Sequence, residues 1–287
     1  MLIAPFYDTG KPAGGDGFEP IIAIDGTPDD VATAFVRQRR RMAEVLSSFT
    51  GEQWRTPSRC DGWTAQDVIA HLVGTNGFWR VSMEAGLAGE PTRYLGTGFD
   101  PKATPAAMVD SMQALTPAQT FEQFCASNDA LCTLAEKVDV AGWAMIAETP
   151  PGHLPMRLLA HHALWDAWVH ERDILLPLGI DPVLEDDEIL ASLRYAVALG
   201  PSFALASDPT QTGSLVLEVT DPDATIVVEV DGTVRVHDGA ASMDSPVLRG
   251  DAIEVLEMLS IRRPFAGVPD EARPLLEGLA EVFETTG

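Results

Sequence analysis

Residues 158–174 read LLAHHALWDAWVHERDI, and this stretch decides how the N-terminal part of the chain folds. Its apolar residues predict a buried helix from about Met156 to Leu176. Pro177 and Gly179 follow, and both residue types end helices. We interpret this helix as one member of a bundle of four or five.

The neighbouring helices are indicated by their N-terminal capping residues. Thr27 precedes Pro28 and two acids, and Thr64 stands three residues before Asp67, as in a capping box. Proline and glycine mark the helix ends. The predicted helices of this part run over residues 28–49, 64–88, 105–114, 117–138, 156–176 and 185–199.

The pattern changes after residue 200, where short strands are predicted at residues 214–219, 225–230 and 233–237. Asp231-Gly232 is a strong hairpin signal between the last two. A further strand at 246–249 and helices at 251–260 and 270–283 complete this part. We therefore predict the α+β class: a helix bundle over residues 1–203, opened by an irregular arm at 1–26 with a short strand at 21–24, and a small α+β domain over 204–287.

Composition excludes several classes of function. The chain has 19 basic and 43 acidic residues, a net charge of −24, and both predicted domains are acidic. Nucleic-acid and membrane-surface partners need a basic footprint, so we expect neither. The one basic cluster, Arg37 to Arg41, lies in a predicted helix and is interpreted as a solvated face or a strip of salt bridges.

The cysteines and the N-terminus indicate a reducing cytoplasm. Cys60, Cys125 and Cys132 are too few and too scattered for a disulfide framework. The N-terminus has no signal-peptide pattern, and no apolar run is long enough to cross a membrane. We expect Cys60 to be a packed or merely exposed thiol.

The histidines of residues 158–174 carry the most chemical information. His162, Asp166 and His170 follow each other in i, i+4 steps and share one helix stripe. His162 and His170 are about 12 Å apart along the helix axis, too far to bind one ion together. The helix can therefore supply either His162 with Asp166 or Asp166 with His170.

A third ligand has to come from another helix, and His71 is the only histidine of the second helix. Two imidazoles and one carboxylate form a three-ligand site with open positions, as in catalytic metal centres. Spacing alone is weak evidence, because a histidine on a helix face is more often an ordinary core or surface residue than a metal ligand. His161 is assigned a structural role, and His153 and His237 are expected on the surface.

A family resemblance is carried by residues 60–72, CDGWTAQDVIAHL. This segment resembles the signature helix of the mycothiol-dependent maleylpyruvate isomerase family, within the DinB-like metal-binding four-helix bundles. The resemblance implies a zinc ion, or another divalent metal, held by His71, Asp166 and His170. It also covers the C-terminal domain, which in this family is like the sterol-carrier fold. The isomerases proper have Glu where this chain has Asp166.

The resemblance further implies chemistry on a thiol. The metal would hold mycothiol, a low-molecular-weight thiol, as the thiolate, which attacks an electrophilic small molecule in an isomerase or S-transferase reaction. Related enzymes use an arginine of the C-terminal domain, and Arg262 and Arg263 are the candidates here, able to hold a carboxylate or to pair with nearby acids. We expect a monomer or homodimer.

Two other functions remain open at this stage. A metal-dependent hydrolase on the same bundle would place water where the thiol binds. A non-catalytic protein could instead hold an apolar small molecule or lipid in residues 204–287.

Overall fold

The chain folds into a helix bundle joined to a mixed β-sheet, which confirms the predicted α+β class. The computed structural model describes residues 20–96, 99–239 and 245–285, with side chains as far as 282. Residues 1–19 of the predicted arm lie outside the described residues. The predicted short strand of the arm is present at Ile22–Ile24.

The helices and strands have the following bounds. The helices are α1 (Pro28–Leu46), α2 (Gly51–Trp54), α3 (Ala65–Leu87), α4 (Ala103–Ser111), α5 (Pro117–Ala135), α6 (Val140–Ala144), α7 (Met156–Leu175), α8 (Asp186–Ser207), α9 (Ala252–Leu259), α10 (Arg273–Leu276) and α11 (Gly278–Thr285). The strands are β1 (Ile22–Ile24), β2 (Ile146–Thr149), β3 (Gly152–Pro155), β4 (Thr212–Thr220), β5 (Ala224–Asp231), β6 (Val234–Asp238) and β7 (Val247–Asp251).

The bundle consists of α1, α3, α5 and α7, each packed against two of the others. Thr64 precedes α3 and forms the predicted capping box with Asp67. Thr27 precedes α1, and its N–H donates to the Asp30 carboxylate. A short antiparallel hairpin, β2–β3, lies between the predicted helices 117–138 and 156–176, where no strand was predicted. It leads directly into α7.

The sheet has the order β1-β6-β5-β4-β7. Strands β4, β5 and β6 are antiparallel, and the predicted Asp231-Gly232 turn joins the last two. The edge strands β1 and β7 pair in parallel with β6 and β4. Thus a strand from the N-terminal arm completes the sheet of the C-terminal part.

Helix α8 connects the two parts of the molecule. The prediction that it ends at Leu199 is wrong, because it continues through Gly200 and Pro201 to Ser207. It is long and apolar enough to span a membrane by composition, but 78% of its most apolar window is buried, as in a core helix. It packs on α1 and α7 and also on β5, β6 and α9. Consequently one apolar cluster extends from α7 through α8 into the sheet, and the two parts share a core.

The basic cluster of α1 is divided between surface and interior. Arg37 and Arg41 pair with Glu188 and Arg40 with Glu136, as expected for a salt-bridge strip. Arg39 contradicts the prediction of a solvated face, since it is 1% exposed. Its guanidinium donates to Asn76, Asn128 and the Ala163 carbonyl oxygen inside the bundle.

Candidate metal centre

The first residue of the site, His71, lies in the second turn of α3. Thr64 caps this helix by accepting a hydrogen bond from the Asp67 N–H, and the Asp67 carboxylate accepts one from the Thr64 N–H. This local structure fixes where α3 begins and hence which way His71 faces. The imidazole is buried, and its ring lies 5.6 Å from the ring of Trp63.

The structure brings His71 together with Asp166 and His170 of α7. Asp166 Oδ1 lies 3.7 Å from His71 Nε2 and 3.5 Å from His170 Nε2. One potential ligand atom from each residue lies within 4.8 Å of the others. Two ligands at about 2.1 Å from a tetrahedral ion are about 3.4 Å apart. The observed spacings therefore suit a small divalent ion.

A buried, unsatisfied oxygen provides a second indication that the cluster fits a cation. Asp166 Oδ2 is buried and has no hydrogen-bond partner among the described residues. Such atoms are uncommon because desolvation without a partner costs about 1–3 kcal/mol each. A metal bound to Asp166 would compensate the carboxylate. The donor set, two imidazoles and one carboxylate, is also typical of catalytic zinc.

The electrostatics of the cluster favour a cation beside a carboxylate. Burial by itself raises the pKa of Asp166, but its interactions with the neighbouring His71 and His170 outweigh it, and the pKa lies well below its usual range. Burial lowers the pKa of His170, whereas hydrogen bonds to Asp173 and Cys60 and the charge of Asp166 raise it to about 10. In the metal-free site, His170 is therefore protonated on both ring nitrogens and positively charged at neutral pH.

A second layer of residues lies behind His170. Its Nδ1 is 3.1 Å from Oδ2 of Asp173, which is fully buried. Arg262 donates to both carboxylate oxygens of Asp173, and the Cys60 thiol donates to Oδ2 at 3.2 Å. Cys60, His170 and Asp173 also lie close enough to form a metal-binding group. The Arg262 guanidinium, 2.8 Å from Asp173 Oδ2, already neutralises that carboxylate and disfavours a cation there.

The structure places the two predicted arginines in different surroundings. Every guanidinium nitrogen of Arg262 is engaged, by Asp173, Cys60 and the Ser260 carbonyl oxygen. Arg263 pairs instead with Glu254 and Glu257. Arg262 is therefore brought to the cluster and Arg263 is not.

The other histidines are placed away from the three-residue group. His162, the alternative ligand, shares a 2.8 Å hydrogen bond with the Tyr195 hydroxyl, and burial lowers its pKa to about 4. His161 is buried against the Ala191 carbonyl oxygen, in keeping with a structural role. The expectation that His153 is on the surface is wrong: it is 3% exposed, and its Nε2 lies 2.7 Å from the Thr92 carbonyl oxygen.

Sequence reasoning missed Asp173 and assigned Cys60 no place at the site. A usable signal existed, because Asp173 stands three residues after His170 and shares its helix face. Histidines that bind metals usually donate their other N–H to a carboxylate or carbonyl group. For Cys60 we find no comparable signal, since its neighbours come from residues more than 100 positions away.

Comparisons with known proteins show which family and fold this chain resembles. Residues 35–175 match the family model of the mycothiol maleylpyruvate isomerase N-terminal domain. The fold matches the crystal structure of the mycothiol-dependent maleylpyruvate isomerase with a TM-score of 0.60 and 17% identity, over 86% of this chain and 96% of that chain. A mutant of that enzyme with a histidine replaced by alanine matches with the same TM-score and 16% identity.

Similar sequences also occur in Mycobacterium tuberculosis. An uncharacterized protein, found in two strains of that organism, is 25% identical over 175 residues, which cover 61% of this chain and 82% of the relative.

Proposed function

Since the chain belongs to the mycothiol maleylpyruvate isomerase family, we propose that it is a metal-dependent enzyme that acts on an electrophilic small molecule with the help of mycothiol. The observation that carries this proposal is the convergence of His71, Asp166 and His170 on one point. The metal is zinc or another divalent ion. When bound, it would lower the pKa of a thiol and stabilise its thiolate.

Three protein ligands leave the fourth position of a tetrahedral ion for that thiol. The side chains of His71, Asp166 and His170 are 10%, 13% and 11% exposed, so the cluster is largely buried but still reached by solvent. With zinc, two neutral imidazoles and one carboxylate give a net charge of +1, which favours an anionic fourth ligand. A thiolate suits zinc well and forms more readily than hydroxide, because a thiol has a lower pKa than water.

The C-terminal part contacts residues beside the site. Arg262 reaches Asp173, and Ser260 accepts a hydrogen bond from the Trp165 indole N–H at 2.8 Å. These contacts help to position the bundle residues. Arg263 is bound to acids, so we assign it no contact with the metal.

The reaction class is an isomerisation or an S-transfer. In an isomerisation, the thiolate sulfur adds to one carbon of an activated C=C bond, and the π electrons move onto the activating group. The resulting C–C single bond rotates, and return of the electron pair re-forms the C=C bond and expels the thiolate. In an S-transfer, the new S–C bond is retained, and a proton is taken up by the former alkene carbon or by the oxygen released from an opened epoxide. Both begin with the same attack, so the same metal ligands serve either. The three free cysteines are consistent with a reducing cytoplasm, which we include in the proposal.

A lipid-binding function receives less support from the packing. Inward residues of β4, β5 and β6 form one cluster with apolar residues of α8 and α9. These helices occupy the face of the sheet that a lipid would need.

Turnover of an activated alkene or epoxide by the metal-loaded protein, with and without mycothiol, tests the proposal. We expect turnover only with the thiol, and none in His71→Ala. Turnover that is independent of thiol and incorporates water into the product would contradict the proposal and indicate a hydrolase. Glutathione in place of mycothiol tests the choice of thiol.

A further inference from the structure

Asp173 joins the candidate metal centre to the C-terminal part of the chain. We propose that Asp173 is a positioning residue that fixes the His170 imidazole for metal binding, and that Arg262 holds Asp173 in place. The inference rests on the metal site of the proposed function. It gives Arg262 a role other than holding a substrate carboxylate.

The two nitrogens of His170 face opposite partners. Nε2 lies 3.5 Å from Asp166 Oδ1 in the metal cluster, and Nδ1 lies 3.1 Å from Asp173 Oδ2. A carboxylate can only accept hydrogen bonds, so Nδ1 must carry a proton and donate it. In the neutral imidazole this leaves the Nε2 lone pair free for the metal. Asp173 therefore selects the tautomer that can bind.

The Asp173 carboxylate is itself held rigidly. Arg262 Nε donates to Oδ1 at 2.9 Å and Arg262 Nη2 donates to Oδ2 at 2.8 Å, a bidentate pair. Oδ2 also accepts from the Cys60 thiol at 3.2 Å. Because Asp173 is fully buried, these groups determine its orientation. An ion pair with this geometry leaves the His170 ring little freedom to rotate.

The backbone conformation before Arg262 directs its side chain towards Asp173. The Arg262 N–H donates to the Glu257 carbonyl oxygen and the Ile261 N–H to that of Met258, the two hydrogen bonds of a Schellman motif at the end of α9. Ile261 takes the left-handed conformation, with φ of 54°. Glycine is usual at this position, and a β-branched residue there is strained. Such strain persists where the surroundings require the conformation.

The neighbouring ion-pair network provides matched controls. Glu257 binds Arg59, Arg172 and Arg263 across the same boundary between bundle and C-terminal part. Its ion pairs hold the bundle and the C-terminal part together, as those of Asp173 do, but they do not include His170. If the role of Asp173 were purely structural, replacing Asp173 and replacing Glu257 would change the metal affinity to the same extent.

Competition with a chromophoric chelator measures zinc affinity in the wild-type protein and in Asp173→Asn, Arg262→Lys, Glu257→Gln and Arg263→Lys. We expect Asp173→Asn to weaken zinc binding about 10- to 100-fold, the usual effect of removing such a partner. Arg262→Lys should weaken zinc binding less than Asp173→Asn does. In the variant that carries both changes, Arg262→Lys should add little to the effect of Asp173→Asn, because Arg262 acts through Asp173. Glu257→Gln and Arg263→Lys should remain within about twofold of wild type. Thermal unfolding with excess chelator verifies that each variant is folded.

The outcomes separate this inference from the function on which it rests. If the wild-type protein binds neither zinc nor another divalent ion, or His71→Ala binds the metal equally well, the proposed function fails. If the wild type binds zinc through His71 and Asp173→Asn binds it as tightly, the positioning role is wrong.

A measurement on the unmodified protein keeps the test valid if Asp173→Asn does not fold. Two-dimensional ¹H–¹⁵N spectra of the zinc-loaded wild type should show His170 protonated at Nδ1 and metal-bound at Nε2. The opposite tautomer would overturn the inference.

Discussion

Nε2 of His71 lies 3.7 Å from Oδ1 of Asp166, across the contact between α3 and α7. Each residue lies on a different bundle helix, so the site exists only when the bundle is folded. We expect His71→Ala and His170→Ala each to lose stoichiometric metal, because a three-ligand site retains little affinity after losing one ligand. Metal analysis of protein purified without chelator or a nickel column is the measurement.

Two further histidine variants serve as controls for this prediction. His162→Ala should retain its metal, since His162 bonds to Tyr195 and is outside the three-residue group. His237→Ala, in strand β6, should also retain it. Loss of metal in His162→Ala alone would show that the other half of the helix stripe supplies the ligands.

Metal binding should release about one proton near pH 7.5. The pKa of His170 is raised to about 10 in the metal-free protein, whereas the pKa of Asp166 is lowered, so His170 is charged and Asp166 is already ionised. The metal needs the neutral imidazole. Apparent affinity should therefore rise about tenfold per pH unit from pH 7 towards pH 10. Calorimetric titration in buffers of different ionisation enthalpy counts the protons, and no release would contradict the expected charge on His170.

The candidate ligands could be predicted in part from local rules. Helix geometry allows either His162 with Asp166 or Asp166 with His170, beside His71 on a capped helix. The family resemblance selected Asp166 with His170. Arg262 and Cys60 could not be placed in this way. Their contacts with Asp173 connect a loop, α7 and the segment after α9, which are distant in sequence.

In the fold, too, features with local sequence signals could be predicted, and those that depend on contacts between distant residues could not. Caps and turns predict most helices and the β5–β6 hairpin, but Gly200-Pro201, although typical of a helix end, lies inside α8. A side chain at residue 200 would place its Cβ 2.5 Å from the Leu276 carbonyl oxygen. Gly200 is thus explained by a close approach of distant backbone, which leaves no local pattern in the sequence. The parallel pairing of β1 with β6 is equally non-local.

Adjacent arginines on α1 should differ greatly in their effect on stability. Arg39 is 1% exposed and donates to Asn76, Asn128 and the Ala163 carbonyl oxygen. Arg39→Ala leaves these acceptors unsatisfied and creates a cavity, so we expect a loss of about 3–5 kcal/mol in unfolding free energy. Arg40→Ala removes an exposed pair with Glu136 and should cost less than about 1 kcal/mol. Urea denaturation measures both, and equal losses would argue against the buried role of Arg39.

Acid should destabilise the protein partly through His161. Burial lowers its pKa in the folded protein to about 4 from an ordinary value of 6.5, and its hydrogen bond to the Ala191 carbonyl oxygen only partly offsets this. The unfolded chain therefore binds a proton more readily between these pH values. The folded protein has the full stability above pH 6.5 and loses stability as the pH falls. The loss of unfolding free energy reaches about 3 kcal/mol by pH 4.

His161→Asn isolates this contribution, because asparagine can still donate to the Ala191 carbonyl oxygen but does not titrate. Urea denaturation of metal-free wild type and variant from pH 7.5 to pH 4.5 should give stability curves that converge as the pH falls. The comparison cancels the titration of carboxylates, which both proteins share. Because the folded protein excludes the proton from His161, the wild type must lose more stability than the variant over this range. Parallel curves would show that His161 does not carry the effect.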